Sequence, residues 1–244
     1  MPADLLWPVK RLAQRVLRHP KLAQKLVVHA ISTEAALARI AARGTEIRTV
    51  LDVGASDGRW SLQAEAVWPA ARFHLVEANP AHASRLRRLC ARKPAFSYSL
   101  VTAGPVDGSV GFDGSNPFGG RATPDDPAAL MTVPQRALAS LAAELRLAPP
   151  FLIKLDTHGY ERSILEGAAP LFPETNLFVI EAYTFPLPPD EVPFHELCGL
   201  MAARGFRAID LSEPLWRSKD GALWQLDLFF VPSTRPEFAY TRFR

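Results

Sequence analysis

From Gly44 onward the chain alternates short apolar runs with amphipathic stretches of helical length, and no other feature narrows the fold as much. Strands are expected over 48–53, 72–77, 96–102, 151–156 and 177–181, interleaved with helices over 59–68, 80–93, 160–168 and 194–204. Strand, helix and next strand form a right-handed crossover, so the expectation is an α/β domain around a mostly parallel sheet. Two last strands, 206–211 and 223–231, are separated only by the link 212–222, with Pro214 and Gly221. They are expected to pair antiparallel as a hairpin-like edge. Between Ala103 and Pro150 the alternation fails. Residues 104–128 hold six glycines and four prolines, too long a stretch for a mere connector, and such loops are often functional. A short extra strand is expected inside it at 109–112, and a helix at 137–145 leads to the fourth parallel strand.

The first 44 residues differ in character. Residues 4–43 read as helical, with Leu5, Leu6, Val9, Leu12, Val16 and Leu17 at helical spacing, a new start at Pro20 and a third helix opened by Ser32 and Thr33. The expected division is a helical N-terminal cap, 1–44, and one α/β domain, 45–244. The cap carries eight Lys/Arg and two acids, while the rest carries twenty Lys/Arg and twenty-three acids, so the net charge of +3 arises in the cap. A nucleic-acid-binding domain would spread basic charge over its body, and no nucleic-acid partner is expected. The cap either packs on the domain or offers a basic amphipathic face for peripheral contact with an acidic membrane. Its apolar residues also leave a homo-oligomer open. No apolar run approaches the roughly 18–20 residues of a membrane span. Lys10, Arg11, Arg15 and Arg18 break the N-terminal apolar residues, which argues against a signal peptide. Cys90 and Cys198 form no CxxC pattern, which fits a reducing cytoplasm.

Residues 50–58, VLDVGASDG, end the first strand in a polar turn flanked by two glycines. In an open parallel sheet, ligands sit beyond the carboxyl ends of the strands. Gly54 and Gly58 would let the backbone approach a ligand closely, and the following helix offers unpaired N–H groups. Asp52, Ala55, Ser56 and Asp57 belong to the same stretch. Glu77, ending the second strand, suits a ribose diol. Asn79 beyond it and Thr102, ending the third strand, complete an expected nucleoside pocket. Neither GxxxxGK[ST] nor GxGxxG occurs. Asp57 would repel a pyrophosphate and favour a sulfonium such as that of S-adenosylmethionine. A role for Asp57 as cap of the next helix is compatible with this.

The segments VLDVGASDGRW, FHLVEANP, FLIKLDTHGYERSILEGA, VIEAY and DGALWQLDLFFV together resemble the FkbM family of S-adenosylmethionine-dependent methyltransferases, over about residues 46–231. The third segment is the most telling: Ile153, Lys154 and Asp156 match its I-K-x-D, Gly159 and Glu161 its G-x-E, and Leu165, Gly167 and Ala168 its L-x-G-A. The resemblance implies a class I, Rossmann-like methyltransferase fold with seven strands, the last antiparallel. It implies S-adenosyl-L-methionine as cofactor, with Gly54, Asp57, Gly58 and Glu77 as contacts. It further implies O-methylation of a hydroxyl on a small-molecule natural product or a glycan. The chain departs from the family pattern at His158, where Glu or Gln is frequent.

Methyl transfer to an alcohol requires an in-line approach and a group that takes the hydroxyl proton. Asp156, His158 and Glu181 stand at the relevant strand ends. His158 has an ordinary pKa near about 6.5, suited to accepting a proton at neutral pH, with Asp156 as alternative base or orienting partner. These two are the expected catalytic pair. Lys154 in a buried strand needs a partner, Asp52 or Glu181. Glu161 is expected to brace the following helix. Asn116 and Arg121 in the Gly-rich loop, with Glu181 and Tyr183 on the opposite wall, are the expected acceptor contacts. Asp156, Glu181 and His158 could offer oxygen and nitrogen ligands to Mg²⁺, but no second acid follows Glu181, where Ala182 and Tyr183 stand, and no metal is expected. Trp216 and Trp224 are expected to pack the edge hairpin. Two other functions remain: a nicotinamide-dependent oxidoreductase, which Asp57 and the lack of a YxxxK pair disfavour, and a non-catalytic cofactor-binding module.

Overall fold

The computed structural model describes residues 30–124, 131–185 and 192–242. The main sheet contains β1 (Thr49–Val53), β2 (Arg72–Glu77), β3 (Phe96–Leu100), β8 (Phe151–Leu155), β9 (Thr175–Tyr183), β10 (Phe206–Trp216) and β11 (Leu223–Pro232). Their order is β10-β11-β9-β8-β1-β2-β3. The pairs from β3 through β9 are parallel, and β11 runs antiparallel to both of its neighbours. The mostly parallel α/β sheet with an antiparallel last strand is therefore the one expected. One detail differs: β11 inserts between β9 and β10, so β10 forms the edge.

Central strands read as continuous apolar runs because both faces are covered. Every residue of β1 and β8 is buried, Asp52 and Lys154 included. Helices α1 (Thr33–Ala42), α2 (Arg59–Val67) and α3 (Ala83–Arg92) cover one face with Leu37, Ile40, Trp60, Ala64 and Leu86. On the other face, α4 (Leu138–Glu144), α5 (Glu161–Gly167) and α6 (Phe194–Ala203) bury Leu141, Ile164, Leu165 and Met201. Ser32 caps α1 by accepting from the Ala35 N–H, and Arg39 forks onto Asp210 of β10 with two 2.8 Å bonds. The helices expected over 4–29 lie outside the described residues. Among the described residues no helix is long and apolar enough to cross a membrane.

A second sheet occupies part of what the sequence presents as loop. Its strands are β4 (Thr102–Ala103), β5 (Gly108–Asp113), β6 (Arg121–Ala122) and β7 (Met131–Arg136), in the order β4-β7-β5-β6. Its core is small, Val110, Phe112 and Val133. Gly108 and Gly111 dilute β5, and Pro134 interrupts β7, which hides both strands from a periodicity reading. The strand expected over 96–102 breaks at Val101, and Thr102 joins this second sheet through its pairing with Gln135. The span 80–93 divides into a 3₁₀ turn, Pro80–His82, and α3. Part of the expected link 212–222 is strand, since β10 runs on to Trp216 through irregular register.

Candidate active site

The carboxyl ends of β1, β2, β8 and β9 open into a cavity of about 420 Å³, bounded on its far side by residues of the second sheet. The first glycine turn forms part of its wall. Ser56 N–H donates to Glu77 Oε2 at 2.6 Å and Asn79 N–H to Glu77 Oε1 at 2.7 Å, so one carboxylate ties two strand-end turns together. Burial pushes the Glu77 carboxyl up, against the pull of those two N–H groups. Gly54 (φ +74°) is required by packing: a Cβ there would lie 1.9 Å from the Asp156 carbonyl oxygen. At Gly58 (φ +81°) it would lie 2.4 Å from Leu89 Cδ2. These glycines admit neighbouring protein rather than a ligand, although Gly54 also faces the cavity.

Two acids of this turn behave differently from the sequence reading. Asp57 accepts from Arg59 Nε at 3.0 Å and Nη2 at 2.9 Å, with Arg85 Nη2 at 3.3 Å, and it caps α2 through the Arg59 N–H. Its bond to Arg59 holds its carboxyl below the ordinary range. Two guanidinium groups thus neutralise the charge that was to select a sulfonium. Asp52 is wholly buried and takes no part in the cavity wall; it accepts from Ser61 Oγ at 2.6 Å and lies 3.4 Å from Lys154 Nζ.

Across the cavity stands a polar cluster. Lys154 Nζ sits 3.0 Å from Asp156 Oδ2 and 3.4 Å from the Gly54 carbonyl oxygen. Burial opposes its charge, but Asp156 and Asp52 outweigh that and hold its pKa above the ordinary value. His158 (φ +54°) places Nδ1 3.0 Å from Tyr183 Oη and 3.3 Å from Glu181 Oε2. Tyr183 Oη donates to Glu181 Oε2 at 2.6 Å, and Gln225 Nε2 donates to Glu181 Oε1. Burial disfavours an imidazolium, yet the hydrogen bond and charge of Glu181, with Asp156 behind, push the His158 pKa up to about 9. At neutral pH His158 therefore already holds its proton, which removes it as the base expected from its ordinary pKa. Burial and the Asp156 charge push Glu181 up. Behind it, burial and the charges of Asp156 and Glu181 push Asp227 up to about 7.

The loop between β5 and β6 is fastened over the opening. His82 Nε2 lies 2.7 Å from the Pro117 carbonyl oxygen, and His158 Nε2 lies 3.1 Å from that of Phe118. Asn79 Nδ2 donates to the Gly114 carbonyl at 3.2 Å. Asn116 shapes the loop tip by accepting from the Phe118 N–H at 3.0 Å.

Comparison with known proteins decides the family. The model of the methyltransferase FkbM domain matches residues 52–208, well over half of the chain. The chain belongs to the FkbM methyltransferase family. A crystal structure of methyltransferase FkbM from Methylobacillus flagellatus is similar at 17% identity and TM-score 0.52, covering 82% of this chain and 49% of that one. The chain thus spans about half the length of that relative. Two further structures are similar in 17% and 13% of aligned residues, with TM-scores of 0.46 and 0.48. They are the 1,6-didemethyltoxoflavin-N1-methyltransferase of Burkholderia thailandensis with bound S-adenosylhomocysteine (96% of this chain, 93% of that one) and the fibrillarin pre-rRNA processing protein of Methanococcus jannaschii (78% and 68%). No curated protein matches the chain significantly.

Within this FkbM domain the structure brings most of the sequence candidates to one cavity. Gly54, Ala55, Ser56, Asp57, Glu77, Asn79 and Thr102 line one part, and Arg121, Asp156, His158 and Glu181 line another. Asp52, Gly58, Asn116 and Tyr183 do not line it; Tyr183 acts through its hydroxyl on Glu181 and His158. Lys154 finds Asp52, one of its two expected partners, together with Asp156. Glu161 braces its helix as expected, accepting from Thr157 Oγ1 and the Gly159 N–H. Trp224 stacks on Phe185, whereas Trp216 is exposed and packs less than expected. Sequence reasoning missed Trp60 and Gln225, both on the cavity wall. Trp60 had a signal, since it stands in the first turn after the glycine turn; Gln225 had none, because only the strand pairing with Tyr183 brings it there.

Proposed function

We propose that the protein is an S-adenosylmethionine-dependent O-methyltransferase acting on a hydroxyl of a small molecule or glycan. The observation that carries the reading is that two residues lining the cavity, Thr102 and Trp60, each hold a buried polar atom, Oγ1 and Nε1, with no hydrogen-bond partner among the described residues. Buried polar groups are normally satisfied, so two unsatisfied ones on residues that line one cavity support a polar ligand there. Glu77 on the same wall keeps acceptor capacity for a ribose diol, because each oxygen receives one N–H and retains a lone pair. The residues therefore fit an adenosyl nucleoside, with Ser56, Glu77, Asn79 and Thr102 holding it. Bound there, S-adenosylmethionine would supply an activated methyl group.

The opposite wall would handle the acceptor. Glu181 is the best-placed base: it lines the cavity, burial raises its proton affinity, and Tyr183, Gln225 and His158 fix its orientation. It would take the acceptor hydroxyl proton, with the His158 imidazolium and Lys154 balancing charge nearby. Asp156, engaged by Lys154, orients this cluster rather than accepting the proton. Arg121 at the rim would contact the acceptor.

Because Arg59 and Arg85 neutralise Asp57, the charge of the turn no longer separates a sulfonium ligand from a pyrophosphate. Binding does. Calorimetry should show saturable binding of S-adenosylhomocysteine and none of NAD⁺; the reverse would favour the nicotinamide alternative. Methyl transfer from labelled donor to a panel of glycans and hydroxylated metabolites would then separate an enzyme from a silent binding module.

A further inference from the structure

Glu181 begins a row of polar groups that runs from the cavity to the edge of the main sheet. Asp227 of β11 is its direct partner in the antiparallel pairing, and Ser212 of β10 is the direct partner of Asp227. Direct partners project from one face of a sheet, about 4.5–5.5 Å apart at Cβ. Glu181, Asp227 and Ser212 therefore form one line across three strands. Ser212 Oγ lies 3.3 Å from Asp227 Oδ2 and 3.5 Å from Oγ1 of Thr33, the first residue of α1. Thr33 Oγ1 in turn lies 3.3 Å from Glu213 Oε1. Ser212 and Thr33 are buried, whereas Glu213 is exposed. Glu213 is held there in the left-handed region (φ +48°), in an irregular stretch of β10, with its N–H donating to the Ile31 carbonyl at 2.8 Å. Such a conformation in a residue other than glycine persists only where its surroundings enforce it.

Counting protons shows what the row can do. A hydroxyl donates one hydrogen bond. With Asp227 ionised, Ser212 donates to Asp227 and Thr33 donates to Glu213, so no proton remains for the contact between Ser212 and Thr33. With Asp227 protonated, every contact is filled in one direction: Asp227 donates to Ser212, Ser212 to Thr33 and Thr33 to Glu213. Both states are accessible at neutral pH. Burial and the charges of Asp156 and Glu181 push Asp227 up to about 7, against the pull of Lys154 and the Ser212 hydroxyl.

We propose that Asp227, Ser212 and Thr33 form the exit for the proton that Glu181 takes from the acceptor, with Glu213 handing it to solvent. No hydrogen bond joins Glu181 to Asp227 among the described residues, as suits two like charges. A proton on Glu181 removes that repulsion, and the two carboxyls can then share it. Once it sits on Asp227, Asp227 gives a proton to Ser212 Oγ, Ser212 gives its own to Thr33 Oγ1, and Thr33 gives its own to Glu213. Each hydroxyl forms one O–H bond and breaks one, so one proton leaves per turnover and Glu181 is ionised again. The source of the proton rests on the methyl-transfer reading; the row of groups does not.

Carbon NMR of the full chain, labelled at its aspartate carboxyls, tests the coupling without any acceptor. Asp227 should titrate at about pH 7. Glu181→Gln should lower that midpoint, because a like charge opposite is gone. A midpoint in the ordinary aspartate range, or one that Glu181→Gln leaves in place, would overturn the proposal. Turnover of an acceptor found in the panel tests the outlet. Ser212→Ala and Thr33→Val should each lower kcat about tenfold or more and enlarge the solvent deuterium isotope effect. Thr33→Ser, which keeps the hydroxyl, should restore both. S-Adenosylhomocysteine affinity should stay unchanged in all three variants, which shows that they fold. A wild-type kcat and isotope effect in Thr33→Val would also overturn the proposal, since the proton would then leave by another way. A coupled titration in a protein that binds no S-adenosylhomocysteine would support the carboxyl pair and remove the methyl-transfer reading.

Discussion

The proton on His158 governs what the cluster beside the cavity can do. Its pKa rises from an ordinary 6.5 to about 9 because Glu181 and Asp156 stabilise the imidazolium more than burial penalises it. The folded state therefore holds this proton more tightly than the unfolded chain does. The resulting stability is fully present below about pH 6.5 and is lost as pH rises through about 9. It amounts to roughly 3 kcal/mol at most. Urea melts between pH 6 and 10 should show stability falling for the wild type, and His158→Gln should flatten that fall. A pH dependence unchanged by the substitution would mean that the imidazole is neutral. Glu181 carries the complementary prediction. Glu181→Gln keeps the shape of the cluster and removes the proposed base, so kcat should fall about 10²–10⁴-fold while S-adenosylhomocysteine affinity holds. A kcat within a factor of a few of wild type would move the base elsewhere. The sequence showed where these residues stand but not their protonation. Glu181 reaches His158 only because β9 lies beside β8, and Asp227 adds its field only because β11 inserts next to β9.

At the scale of elements, the strand ends were legible and the second sheet was not. A buried strand announces itself by a continuous apolar run, as in TVLDV and FLIKL, and residues around its carboxyl end border the cavity by topology. That is why Glu77, Asp156 and Glu181 could be placed from sequence. The strands β5 and β7 carry glycines and a proline and share only a three-residue core, so they owe their pairing to each other more than to local pattern. The loop they support is held at consecutive carbonyls by His82 and His158, which come from turns on different strands. Removing one clasp should loosen the loop without touching the core. In His82→Ala, amides of 114–121 should exchange at least about fivefold faster, as expected for the loss of one partly buried hydrogen bond. Amides of β1 and β8 should be unaffected. Equal exchange in the loop would show that Asn79 and His158 suffice to hold it.

The whole molecule separates its stability from its site. Two helical layers close on the central strands through apolar contacts that lie along the strands, while the cavity occupies only their carboxyl ends. This division explains why periodicity alone yielded the parallel sheet and its two faces, whereas charge partners such as Arg85 for Asp57 depended on how α3 lies against the first turn. It also predicts how ligand and fold communicate. A ligand that binds only the folded protein stabilises it by about 2.7 kcal/mol at a hundredfold excess over Kd. In a chain of this size that raises Tm by roughly 5–10 °C. S-Adenosylhomocysteine should produce such a shift. Thr102→Val should change the unliganded Tm little or raise it, because the buried hydroxyl has no partner to lose among the described residues. The same variant should bind the ligand more weakly and show a smaller shift at fixed concentration. A Thr102→Val protein that is destabilised without ligand yet shifts as much as wild type would mean that the hydroxyl serves the fold, and the nucleoside would then have to be held by Glu77 and the first turn alone.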